Sequence, residues 1–154
     1  PGRRGVEIFV HGRSGGPFPA RQHEQAGRII ARRHGLDPER TLFIAQSPAA
    51  IAAGAFHNDV VAVADGQTLF AHELAFADPA GAVKAIRTAF PALQLVEVPA
   101  SAVSLEEAIR TYLFNAQLVT LPGGEQALIV PSVRPWKAFM KVISSNLRSS
   151  PACW

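Results

Sequence analysis

Cysteine is almost missing from this chain of 154 residues. The single Cys153 excludes an internal disulfide framework. No signal peptide opens the chain, so a reducing cytoplasm is the expected compartment. No apolar run reaches the ~18 residues that a membrane span requires. An initiator methionine is lacking too. The chain starts at Pro1 and enters a strand-like segment at once, which reads as a piece of a longer protein. The five histidines (His11, His23, His34, His57 and His72) show neither HxxxH nor HxH spacing, so no zinc site is expected. Gly12-Arg13-Ser14-Gly15-Gly16 loosely resembles a phosphate loop, but the Gly-Lys-Ser/Thr ending is absent.

What remains is a globular composition, 48% hydrophobic and 18% charged, able to bury a core. The net charge of +3 is unevenly spread, with eight of the twelve arginines in the first 40 residues. Such a patch can be a nucleic-acid footprint. It comes without an interleaved aromatic ladder, and Arg28, Arg32 and Arg33 share one helical region. A solvated helix face is the expected reading, with no nucleic-acid partner.

Local patterns give an alternating order of elements. Val6 to Val10 alternates as a strand, and His11 to Pro19 is a Gly- and Pro-rich loop. Ala20 to His34 has helical spacing, with Ala26, Ile29, Ile30 and Arg33 in one stripe and Gly35 as the stop. Thr41 to Ala45 is a strand, and Ser47-Pro48 opens a short helix ending near Gly54. Val60 to Ala64 and Thr68 to His72 form a hairpin about Asp65-Gly66. Asp78-Pro79 starts a helix to about Phe90, Leu93 to Val98 is a strand, and Ser104 to Glu107 has the form of a capping box. Asn115 to Thr120 and Gln126 to Val130 make a second hairpin, and Pro135 to Ser145 reads as a last helix.

A unit of strand, helix and hairpin therefore occurs twice, Thr41 to His72 and Gln94 to Val130, about 55 residues apart. Phe56-His57-Asn58 in one copy corresponds to Leu113-Phe114-Asn115 in the other. Only the first copy carries an ionisable pair, His57 and Asp59, at the mouth of its hairpin. An imidazole beside a permanent anion suits proton transfer and cation binding. The same segment also reads as a polar turn that opens a strand. If the strand already starts there, both side chains share one face.

Other residues stay open between two readings. Arg21, after a Pro-rich loop, can clamp a carboxylate through a bidentate pair, or it can be a surface arginine. His72 alternates with Leu69 and Phe70 and reads as a satisfied core histidine. Cys153 with a distant histidine can be a nucleophile and its proton partner, or a free thiol near the chain end.

Four segments occur in a familiar order: Pro19-Ala20-Arg21-Gln22, Phe56-His57-Asn58-Asp59-Val60, Val96-Glu97-Val98-Pro99 and Tyr112-Leu113-Phe114-Asn115-Ala116-Gln117-Leu118. Together they resemble the N-succinylarginine dihydrolases over about Val6 to Pro131. The resemblance implies an α/β fold of the pentein type, a five-bladed propeller of ββαβ modules, of which this chain would hold about two blades. It implies hydrolysis of the guanidinium group of N2-succinylarginine to N2-succinylornithine, ammonia and carbon dioxide, with no cofactor and no metal. It implies a cytoplasmic enzyme, a homodimer when complete, whose only partner besides itself is that small substrate. His57 and Cys153 would be catalytic, and Arg21 and Asp59 would bind substrate. The family's catalytic glutamate lies before the equivalent of Pro1. Its nucleophile sits in Gly-Gly-Gly-Pro-Ala-Cys, where this chain has Ser149-Ser150-Pro151-Ala152-Cys153.

On that reading residues 1–131 are a partial pentein domain. Residues 132–154 are a divergent C-terminal segment, frame-shifted or misjoined, and the fragment is expected to be inactive alone. Another guanidine-modifying pentein, a deiminase or amidinotransferase, and a non-catalytic binding or assembly module are the alternatives.

Overall fold

Thr68-Leu69-Phe70-Ala71-His72 is buried at every residue. A strand covered on both faces belongs at the centre of a sheet. A computed structural model describes residues 5–13, 16–20 and 22–130, and places this segment there as β4 (Thr68–His72). The strand β3 (Ala62–Asp65) pairs antiparallel on one side of it, and β5 (Gln94–Val98) pairs parallel on the other. The connection from β4 to β5 is the helix α3 (Pro79–Ala89). Asp78 caps it by accepting from the Gly81 N–H at 2.9 Å.

Two shorter sheets flank this ββαβ module. Before it, β1 (Glu7–His11) and β2 (Thr41–Ala45) pair in parallel through α1 (Glu24–Arg33). After it, β6 (Gln117–Thr120) and β7 (Gln126–Ile129) form an antiparallel hairpin. The short helix α2 (Pro48–Ala52) links the first sheet to the second, and α4 (Leu105–Thr111) links the second to the third. The architecture is mixed α/β, with no closed barrel among the described residues.

The repeat seen in the sequence is present, but it straddles the sheets. In the first copy β2 stands in one sheet and its hairpin β3–β4 in the next. In the second copy β5 stands beside β3–β4 while its hairpin β6–β7 makes a new sheet. The spatial unit is therefore ββαβ, offset from the sequence unit by one strand.

Alternation along β4 and β5 sorts two cores. Leu69 and Ala71 join Ile44, Ala50, Val61, Phe76 and Ile86 on one face. Phe70, Val96 and Val98 join Val103, Ala108, Leu113 and Phe114 on the other. Phe70 and Phe114 lie with ring centroids 4.8 Å apart. The two hairpins meet at their far ends, where the Thr120 hydroxyl donates to the Asp65 carboxylate at 2.6 Å. There the Gln126 amide donates to the Asp65 carbonyl at 3.1 Å, and Thr68 bonds Gln126.

Two boundaries and one helix face depart from the sequence expectation. The first helix starts at Glu24 rather than Ala20, because His23 caps it, its Nδ1 accepting from the Gln25 N–H at 3.2 Å. Its expected stripe of Ala26, Ile29, Ile30 and Arg33 is exposed throughout. The helix instead rests on Gly27 and the buried Ala31. A Cβ at residue 27 would meet Phe9 at 3.2 Å, so the small residue lets the helix close down on the sheet. The first hairpin starts later than expected. Asn58–Val60 is a 3-10 turn, and β3 begins only at Ala62. The helix expected over Pro135–Ser145 and the segment 132–154 lie outside the described residues.

The capping box is intact. The Glu107 N–H donates to the Ser104 hydroxyl at 3.2 Å, and the Ser104 N–H donates to Glu107 at 3.1 Å. The Ser104 N–H and hydroxyl both donate to the Glu107 carboxylate and hold it below its ordinary value of 4.5, the backbone bond contributing most. A lowered carboxyl favours the fold above that value, and the benefit fades as pH drops through the folded pKa. We expect Ser104→Ala to lower stability by about 1 kcal/mol at neutral pH. The deficit should shrink towards acid, as read by urea unfolding of the chain at two pH values.

Candidate active site

The loop after α2 is shaped by one glycine and one buried glutamine. Gly54 has φ +110°, which turns the chain back after the helix and is open to few other residues. Gln46, at the end of β2, is only 4% exposed. Its side-chain amide donates to the Ala55 carbonyl at 2.6 Å and reaches the His57 carbonyl at 3.4 Å. Its backbone N–H bonds the His11 carbonyl at 2.7 Å, and it forms a bridge with Phe76. One residue thus ties the loop that carries His57 to the end of the first sheet and to Phe76 beyond β4. Nothing in the local sequence marked Gln46, because its partners are backbone carbonyls 9 and 11 residues further along the chain.

His57 is half-buried at the start of the 3-10 turn, with extended backbone at φ −108° and ψ 144°. Its ring lies against Phe56, centroids 4.9 Å apart, and Phe56 in turn stacks on Phe18 at 6.1 Å. The Phe56 and His57 rings are tilted at 44° to each other, so the aromatic shelf packs against the imidazole at an angle. Among the described residues, neither ring nitrogen hydrogen-bonds Asp59, whose partner is Asn115.

Asp59 points elsewhere. It is exposed, and its Oδ2 accepts from the side-chain amide of Asn115 at 3.2 Å. The two residues lie on a 3-10 turn, His57 as its cap and Asp59 within it. Alternation would have put positions 57 and 59 on one strand face, but no strand has begun there. Neighbouring Asn58 buries its Oδ1, which has no hydrogen-bond partner among the described residues.

Asn115 arrives from the other repeat copy, in the turn that ends α4. The sequence had aligned that turn with the His57 turn. The fold brings the two into contact across 56 residues. The remaining sites separate. His72 is 2% exposed, as a core histidine should be. Its Nδ1 accepts from the Leu74 N–H at 3.1 Å, so its Nε2 carries the proton and donates to the Val103 carbonyl at 2.9 Å. Arg21 and Cys153 lie outside the described residues.

Close to the end of β1, His11 lies 3.7 Å from Glu24, which also pairs with Arg28 at 2.7 Å. The Arg28 guanidinium covers the Phe43 ring at 4.2 Å. The hydrogen bond from Arg28, foremost, holds the Glu24 carboxyl below its ordinary value. Arg28 is therefore engaged by its own helix and sheet. Among the described residues no cluster of His, Cys, Asp and Glu side chains has the makings of a metal site. No described helix is long and apolar enough to cross a membrane.

The sequence as a whole matches one family. The family model described as succinylarginine dihydrolase matches residues 1–150. The N-succinylarginine dihydrolase of Novosphingobium aromaticivorans is 61% identical over 139 residues, covering 86% of this chain and 33% of that protein. That of Sphingopyxis alaskensis is 65% identical over 130 residues, 84% of this chain and 31% of the relative. That of Rhizorhabdus wittichii is 48% identical over 151 residues, 94% and 34%. The chain spans about a third of the length of these relatives.

Proposed function

The chain belongs to the succinylarginine dihydrolase family, and from that membership we propose that it supplies part of the active site of an enzyme hydrolysing the guanidinium group of N2-succinylarginine. The products are N2-succinylornithine, ammonia and carbon dioxide. The observation that carries this reading is the 57–59 turn. An imidazole packed against Phe56 and a carboxylate held by an amide stand on one short turn with different partners. Different partners suit two tasks on one substrate.

The roles that family membership implies fit the residue types. A guanidinium is a resonance-stabilised cation and a poor electrophile. Asp59 pairs with its N–H groups, fixing the plane and the exposed face of the carbon. Arg21 takes a carboxylate of the succinyl arm in a two-bond fork. The Cys153 thiolate adds to the guanidinium carbon. His57 delivers a proton to the departing nitrogen, and ammonia leaves. The same imidazole then removes a proton from the water that attacks the thiouronium carbon, and the thiolate departs, leaving the ureido product. A second round on that product releases a second ammonia and a carbamate, which loses carbon dioxide to give the amine.

The β3–β4–α3–β5 module, preceded by β1–α1–β2 and followed by β6–β7, supports about two of five blades of a pentein propeller. We assign the whole enzyme to the cytoplasm as a homodimer, with this fragment inactive alone. The test restores the missing two-thirds. This chain replaces the matching third of the Novosphingobium aromaticivorans enzyme, and ammonia is followed with N-succinylarginine and with free arginine. The reading expects turnover of the succinylated substrate at least about a hundredfold above free arginine, since the unfilled carboxylate clamp costs binding energy. Equal use of both substrates would favour a deiminase-type specificity and sink the proposal.

A further inference from the structure

We infer that Asn115 is a positioning residue for Asp59: it fixes the plane of the carboxylate that faces the substrate's guanidinium. The inference rests on the functional reading above and adds to it a residue from the second repeat copy. Asp59 is exposed on a short turn, where its carboxylate is otherwise free to rotate. A donor on Oδ2 at 3.2 Å stops that rotation and leaves the other lone pairs in a set direction. An ionised carboxylate only accepts, so the amide nitrogen of Asn115 must be the atom that faces it.

The backbone that presents Asn115 is unusual. Tyr112, the C-cap of α4, sits at φ 52° and ψ 37°, the one non-glycine residue at positive φ among those described. Left-handed backbone is costly for a residue with a side chain and persists only where the surroundings impose it. Its consequence is geometric. The Leu113 N–H bonds back to the Ala108 carbonyl at 3.2 Å and the Asn115 N–H to the Tyr112 carbonyl at 3.1 Å. Leu113 and Phe114 enter the core, 8% and 1% exposed, and Asn115 is left projecting at Asp59. A helix continuing past Tyr112 would carry Asn115 away.

Cohesion of the two hairpins does not need this bond. Asp65, Thr68, Thr120 and Gln126 join them at the far end, and Leu113, Phe114 and Leu118 are buried beneath. The Asn115 amide is therefore free to serve the carboxylate.

The experiment uses the full-length chimera described above. Asn115→Ala, and Asn115→Asp, which keeps the shape but exchanges donor for acceptor, should each raise KM for N-succinylarginine about tenfold. The expected change in kcat is within threefold, and the thermal midpoint should stay in place. In an Asp59→Asn background, Asn115→Ala should change kcat/KM no further. An unchanged KM in both single variants overturns the inference. So do effects of the two sites that multiply, since Asn115 would then act without Asp59. If His57→Ala in the same chimera leaves ammonia release intact, the fault lies with the functional reading instead.

Discussion

His57→Ala in the full-length chimera should lower ammonia release from N-succinylarginine by about a thousandfold. Positioned acid–base groups typically contribute 10²- to 10⁴-fold, and on the proposed path this imidazole acts twice in each round, on the leaving nitrogen and on the attacking water. The expected loss is chemical rather than structural, because the ring is not what holds the loop. Gln46 holds it through the carbonyls of Ala55 and His57, and both survive the substitution. Phe56 keeps its stack on Phe18 as well. The variant should thus unfold at nearly the parent's temperature and still bind substrate. His57→Gln, which can hydrogen bond but not exchange protons near neutral pH, should be as slow as alanine. His72 provides the contrast within the same molecule. It lies in the core with both ring nitrogens engaged, and its removal should weaken the fold without a selective effect on turnover. A His57→Ala enzyme that keeps more than about a tenth of the parent rate would remove the proton-transfer role.

The elements were readable from the sequence where one short window contains the cause. Asp78-Pro79, Ser47-Pro48 and Ser104 to Glu107 are capping chemistry written within four residues, and the corresponding helices begin there. The hairpin at Asp65-Gly66 and the core reading of His72 held for the same reason. What failed was decided by partners distant in sequence. The buried face of α1 depends on Phe9 lying beneath Gly27, which a helical stripe of isoleucines cannot reveal. The 3-10 turn at Asn58–Val60 replaced a strand start because β3 pairs with β4 only from Ala62 onwards. The repeat correctly aligned the two turns that meet, yet Asn115 as the partner of Asp59 needed the fold. His57 and Asp59 were visible as neighbours, whereas their separate partners, Phe56 and Asn115, were not. The family resemblance rested on whole ordered segments and carried more than any residue pair alone. The residue roles it implied remain to be tested by substitution.

Phe114→Ala should cost about 3–5 kcal/mol, the range for emptying a buried aromatic site. The side chain is 1% exposed and sits within the second core between Phe70, whose ring is 4.8 Å away, and the edge-on His72 ring at 6.2 Å. The same buried core includes Val96, Val98, Val103 and Ala108, from β5 and from the segment leading into and through α4. All are fixed by their own hydrogen bonds, so the cavity cannot easily collapse. Typical domains are stable by only 5–15 kcal/mol, so this single loss removes a large fraction. Phe114→Leu keeps most of the volume and should cost less than about 1.5 kcal/mol. Urea unfolding of the two variants against the parent chain measures the difference. Values below about 1 kcal/mol for alanine would mean that the second core does not close around this ring. The effect should also reach the site, because Phe114 anchors the turn that aims Asn115. In the full-length chimera, at temperatures where Phe114→Ala is still folded, KM should rise as it does for Asn115→Ala. Adding Asn115→Ala to it should raise KM little further, since the amide has already lost its fixed direction.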